Sequence, residues 1–320
     1  MALVTVGPSG RDYTSLFAAE AGEQQDLTAL AETMAFEMDA MADPADGAKF
    51  DGWTVSTTYY VILRGASGVQ ADLPYGDSGY RLTGSATCLN LIGLQFTRVQ
   101  DLCLITSDSG GARKALLGGG GEIFDRCVFV ASHTSYSGNL VEPQNHASQD
   151  TVFRNCVSVI VGTSGQGFVH QGGSGTARFY NCTAIGGANG FDRDFGAAQI
   201  INCLADGQSG TGFTSTWETG SGFNASWDAT APGDDSRQSQ TFTFVDGSGG
   251  DYRLASGDAG ARTFGSDLSG ISVGPFSDDF DAIARGATWD IGADQFVAAG
   301  GASPLLAVLQ AHGAFIGSAH

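Results

Sequence analysis

Short runs of alternating or continuous apolar residues, broken by Gly and Asn, dominate the chain, and four of them align without gaps. They are Ile123-Phe124-Asp125-Arg126-Cys127-Val128, Val152-Phe153-Arg154-Asn155-Cys156-Val157, Arg178-Phe179-Tyr180-Asn181-Cys182-Thr183 and Gln199-Ile200-Ile201-Asn202-Cys203-Leu204. Each carries an aromatic or aliphatic residue three positions before a cysteine. A weaker copy, Val99-Gln100-Asp101-Leu102-Cys103-Leu104, puts Leu102 in the cysteine column. From Leu102 through Cys127, Cys156, Cys182 and Cys203 the successive offsets are 25, 29, 26 and 21 residues.

A period in the twenties, built from β-type segments with Gly and Asn turns, predicts a β-solenoid, in which each coil pairs with the coils before and after it. A leucine-rich repeat shares the period but needs leucines at fixed offsets that are missing. The predicted class is all-β: a right-handed single-stranded parallel β-helix with a short N-terminal capping helix. Stacking would place Phe124, Phe153, Phe179 and Ile200 in one interior ladder and Cys127, Cys156, Cys182 and Cys203 in another. Asn155, Asn181 and Asn202 form a shorter column suited to an amide ladder.

Further upstream, Met34, Phe36, Met38 and Ala40 alternate with Ala35, Glu37 and Asp39, a strand period, and Tyr59 to Leu63 is a β-prone run. Thr14-Ser15 can cap a helix through about Glu23, a plug for strand edges otherwise left open. The expected organisation is an N-terminal strand and capping helix (1–26), the coils (27–240), a closing segment over the downstream end (241–297), and a hinge with an apolar tail (298–320).

Composition sharpens this picture. Gly 48 against Pro 7 in 320 residues indicates turn glycine, and a hydrophobic fraction of 42% supports a large core. The net charge of −19, with only Lys49 and Lys114 as lysines, argues against nucleic acid as partner, because phosphate binding needs a basic patch. No stretch approaches the roughly 20 apolar residues that span a bilayer, and the first residues lack a signal-peptide pattern. A chain made in the cytoplasm without a signal peptide and without a membrane partner is the expectation. Six cysteines invite a disulfide or metal reading. Residues in one solenoid column sit about 4.8 Å apart with parallel Cβ vectors, whereas a disulfide wants Cβ atoms near 3.8 Å and turned toward each other. Free, buried thiols are predicted, with no zinc spacing and no cofactor.

Gly7-Pro8-Ser9-Gly10-Arg11-Asp12-Tyr13-Thr14-Ser15-Leu16 and Asp51-Gly52-Trp53-Thr54 resemble the N-terminal region of pectate-lyase-like right-handed parallel β-helix repeat proteins. Asn224-Ala225-Ser226-Trp227-Asp228 with Ala231-Pro232-Gly233, Asp251-Tyr252-Arg253-Leu254-Ala255 and Trp289-Asp290-Ile291-Gly292-Ala293-Asp294 resemble their closing segments. The resemblance spans roughly residues 4 to 297. It implies the fold, and it implies membership of a group found in tailed-phage virions, bacterial surface proteins and polysaccharide-active enzymes.

Enzymes of that fold place their chemistry on the outside of the coils. The best local candidate is Gly190-Phe191-Asp192-Arg193-Asp194-Phe195-Gly196, read as a turn between coils in which Asp192 and Asp194 flank Arg193. A hydrolase needs two carboxylates about 5 to 9.5 Å apart. The coil before supplies only His170 and the coil after only Asp206, so no catalytic residue is assigned. His133 and His146, with Glu142 between them, lie in an insertion from Ala131 to Asp150 expected to project from the coil; a metal role lacks suitable spacing. Trp53, Trp227 and Trp289 fall in structural segments, leaving Trp217 the open candidate for stacking on a sugar.

The tail supplies Leu305, Leu306, Val308, Leu309, Phe315 and Ile316 behind a Gly300-Gly301 hinge, an expected contact element for a homo-oligomer, a trimer by resemblance to phage spikes. The reading adopted is a structural component of a tailed-phage virion, a capsid decoration, head spike or fibre-type protein at the virion surface, contacting other virion proteins. Its rivals are a polysaccharide lyase, glycoside hydrolase or phage depolymerase, and a carbohydrate-binding adhesive module.

Overall fold

The computed structural model describes residues 1–298 except 45–47, 72, 74–78, 86, 109–113 and 145–148. Most of its regular structure is strand, with few helices, and the large sheets are parallel. The strands form three ladders, each adding one strand per repeat in chain order. One runs from Ala2–Val6 through Met34–Met38, Val61–Gly65, Arg98–Gln100, Ile123–Asp125 and Thr151–Arg154. It continues into the C-terminal parts of Gln166–Tyr180 and Asn189–Ile201. A second runs from Met41–Asp43 through Leu102–Thr106, Val128–Ala131 and Val157–Ile160 to Ala225–Ser226. The third links Ala48–Lys49, Leu89–Asn90, Leu116–Gly118 and Asn139–Pro143 with the first halves of the two long strands and Thr211–Phe213. Such one-strand-per-repeat parallel pairing is compatible with a β-solenoid.

In register, Val4, Phe36, Leu63, Val99, Phe124, Phe153, Phe179 and Ile200 form one buried column. Phe153 stacks between Phe124 (centroids 4.6 Å apart) and Phe179 (5.4 Å). A second aromatic column, absent from the sequence reading, lies on the third ladder: Phe168, Phe191 and Phe213 stack at 5.2 and 5.1 Å. Phe129 of the second ladder meets Phe124, Phe153 and Phe168 at 6.1 to 6.4 Å, so side chains from the three ladders meet in one core. Cys127, Cys156, Cys182 and Cys203 are buried in it, and all six cysteines are free. Burial pushes the thiols of Cys127, Cys156 and Cys182 well above their ordinary value, leaving them protonated and unreactive.

The corner ahead of the column of Leu102, Cys127, Cys156, Cys182 and Cys203 is one residue at positive φ: Asp101, Arg126, Asn155, Asn181 and Asn202, between 49° and 59°. Asn and Asp tolerate this left-handed conformation best among residues with a Cβ. The amide ladder is shorter than expected. Asn202 donates to Asn181 (2.9 Å), but Asn155 instead accepts from Arg285, 3.3 Å away, which comes from the C-terminal segment.

Within that segment, residues 251–298 form a strap along the flank of the sheets. Ser266 exchanges two hydrogen bonds with Asn202 (2.7 and 2.8 Å), Pro275 accepts from Arg154 (3.0 Å), and Asp278 pairs with Arg126 (2.9 Å). The strap then returns, and Ala293 donates to Thr183 (3.0 Å). The physical reason is apolar residues on the outer faces. Val128, Val130, Val157 and Val159 need cover and pack with Phe280 and Ala293, while Val152 and Tyr180 pack with Leu268, Phe276 and Trp289.

Both ends of the ladders are closed by other means. Ser15 caps helix α1 (Leu16–Glu23) by accepting from Ala18, and α1 buries Leu16 and Ala19 against the core. On the outer edge of the first strand, Thr5 donates to Asp12 (2.8 Å) and accepts from Tyr13 (3.1 Å). Downstream, Gly212 and Phe213 donate to the side chains of Asp228 and Thr230, both at 2.9 Å. Edge groups satisfied in this way are unavailable for pairing with another strand.

Candidate functional site

Asp192, Arg193 and Asp194 do not sit in a turn. They lie within the continuous strand Asn189–Ile201, because the bend is carried by Gly172, Gly173 and Gly196 at positive φ while pairing with Gln166–Tyr180 persists across two register shifts. Asp192 is buried and accepts from the Thr214 hydroxyl, whereas Asp194 is exposed and accepts from Gln171 Nε2 (3.1 Å). Between them, Arg193 donates to Glu218 Oε1 (3.2 Å) and Thr216 Oγ1 (3.1 Å). Each of the three is thus bonded to the repeat before or after its own. Burial raises the Asp192 carboxyl above the ordinary carboxylate range; the Thr214 bond opposes this and the charge of Asp194 adds to it.

His170 pairs in register with Arg193 and is fully buried, its Nδ1 3.4 Å from the carbonyl of Pro143. Its Nε2 has no hydrogen-bond partner, and the backbone of Gly196 covers it so closely that a Cβ there would stand 2.7 Å away. Burial lowers the imidazole pKa, the Pro143 carbonyl counters this, and the charge of Arg193 lowers it further, so the ring is neutral at pH 7.

The repeat that follows contributes Thr214, Thr216 and Glu218, and not Asp206. Asp206 belongs to the second ladder, paired with Ile185. The signal for Glu218 was in the sequence: it lies 25 residues after Arg193, one repeat length. Beside this cluster opens a groove of about 430 Å³, lined by Ser215 to Ser221 with Pro232, Gly233 and Asp234. Trp217 is half-buried there, edge-on to Phe179 at 6.2 Å.

The other candidates are dispersed. The segment expected to project between Ala131 and Asp150 contains the strand Asn139–Pro143, a member of the third ladder, because Leu140 and Val141 bury into the core. Glu142 is held there by Lys114 (3.1 Å), Asn139 (2.8 Å) and Gln144 (2.6 Å). His133 is exposed and accepts from the Ser135 amide (3.1 Å), and His146 lies outside the described residues. Trp53 is buried, donating to Glu20 (3.1 Å), and Trp289 is buried in the strap, while Trp227 is 38% exposed. Among the described residues no group of three or more His, Cys, Asp or Glu side chains could hold a metal ion, and no helix is long and apolar enough to cross a membrane. Leu305, Leu306, Val308, Leu309, Phe315 and Ile316 lie outside the described residues. No protein-family model matches the chain, and no curated protein matches it.

Proposed function

We propose that the chain is a right-handed parallel β-helix of the pectate-lyase-like kind that serves as a rigid structural component of a tailed-phage virion, displayed at the particle surface as a decoration, spike or fibre-type protein. The observation that carries this reading is the use made of the polar side chains on the outer face. Asp192, Arg193 and Asp194 each bond to a neighbouring repeat, so groups that an enzyme would turn toward a substrate serve here to fasten repeats together. Both ladder ends being closed by side chains suits a discrete part that docks in fixed copy number. In this reading the apolar residues Leu305, Leu306, Val308, Leu309, Phe315 and Ile316 are the assembly element of a homo-oligomer, a trimer by resemblance.

A second reading, a carbohydrate-binding or carbohydrate-cleaving surface, draws on the Trp217 groove, which Glu218 also lines and to which Arg193 is bonded. The two are separated by assaying reducing-sugar and unsaturated-uronate release across a polysaccharide panel. We expect no turnover above background. Turnover that disappears in the Asp192→Asn/Asp194→Asn double variant, with the fold intact by circular dichroism, would replace the structural role with an enzymatic one.

A further inference from the structure

The strap carries an unusual concentration of buried charge. Arg285 is almost fully buried, yet its guanidinium donates mainly to carbonyls, those of Asp278 (3.0 Å), Gly292 (3.1 Å) and Ala293 (2.7 Å), and to Asn155 of the sheet. Three buried carboxylates surround this single cation without a hydrogen bond to it. Asp279 accepts from the amides of Ile283 (2.8 Å) and Gln295 (3.1 Å), Asp290 from Thr263 and Phe296 (both 2.7 Å), and Asp294 from Leu254 (2.9 Å). These bonds set the path of the strap, and they crowd negative charge into a largely buried cluster.

We propose that the strap is a proton-sensitive clasp, seated most firmly on the flank of the sheets in acid and loosened as the pH rises to neutrality, with Asp279 and Asp294 around Arg285 as the sensing cluster. The groups facing the cluster are few. From the strap, Asp281 adds negative charge, and Arg253 is already paired with Asp251 (2.6 Å) and Asp281 (3.6 Å). From the sheet come neutral Asn155, Asn181 and Thr183, and Arg126, which is shared among Asp101, Asp125 and Asp278. Arg262 faces Asp290, so Asp279 and Asp294 share Arg285, with Arg253 beside Asp294 already paired to other carboxylates.

Burial raises Asp279 to about 6 and Asp294 to about 7, from an ordinary value of 3.8 for each; nearby carboxylates raise them further, while amide bonds and Arg285 lower them. A carboxyl whose seated pKa lies above its released value binds its proton more tightly in the seated state. Seating is therefore strongest below the released value and weakens through the window from about 4 to about 7. Loosening bares the apolar outer faces at Val128, Val152 and Val157, the surface that Phe280, Phe276 and Trp289 now cover.

Hydrogen exchange resolved by peptide tests this on the full chain, with rates corrected for the intrinsic pH dependence of exchange. Between pH 5.5 and pH 8 we expect protection in peptides from 260–296 to fall more than about tenfold, while peptides from Ile123–Asp125 and Val157–Ile160 hold theirs. The Asp279→Asn/Asp294→Asn variant should keep acid-level protection at pH 8. Strap protection that is flat or rises with pH in the parent overturns the proposal, as does a folded variant that retains the parent's dependence. If the double variant fails to fold, Asp294→Asn alone and the parent profile still decide.

Discussion

Phe153 shows how much one side chain in an interior column contributes. It lies between two parallel rings and touches Phe129 and Phe168 edge-on. Truncating it leaves a cavity that neighbours on three ladders cannot fill. Phe153→Ala should lower unfolding free energy by about 3–5 kcal/mol in denaturant titration. Phe195, 71% exposed, is the control, and Phe195→Ala should stay within about 0.5 kcal/mol. The Phe124 to Ile200 column was legible because its residues share a spacing to cysteine. Asp192 was harder to place: whether a carboxylate in an extended strand faces solvent or a Thr on the next repeat depends on register, and the offsets drift from 21 to 29 residues.

The corner before each cysteine is the element that turns a strand into a repeat. Asn181 holds φ near 49° and receives a bond from Asn202. Asn181→Ala should cost about 1–2 kcal/mol, from left-handed strain and the lost bond. Asn181→Gly should cost less, since glycine removes only the bond; thermal melts of both variants give the order, and equal losses would show that backbone conformation is not what selects Asn here. The capping helix was readable from Thr14-Ser15, a polar pair before an apolar run. The third ladder was not, since Ala48–Lys49, Leu89–Asn90 and Leu116–Gly118 are two or three residues long and share no motif. The strap left a trace that the repeat alignment passed over. Val128-Phe129-Val130 and Val157-Ser158-Val159-Ile160 are almost continuously apolar, as strands covered on both faces must be.

At the scale of the whole molecule, parallel ladders make each repeat a neighbour of only two others. Chains built this way tend to fray, losing repeats from an end while the middle persists. Here the strap touches Asn202, Arg154 and Arg126 on its way out and Asn155 and Thr183 on its way back, so repeats that never meet share a common tie. No repeat along that path can melt without releasing contacts made by the others. With the strap seated, at pH 5.5, unfolding should therefore be a single sharp transition, with calorimetric and van't Hoff enthalpies that agree. A backbone cut in the exposed stretch around Ser269-Gly270 should let the same chain come apart stepwise, its downstream repeats first. The strap thus converts a one-dimensional array, whose stability is a sum over neighbours, into an object that fails all at once or not at all.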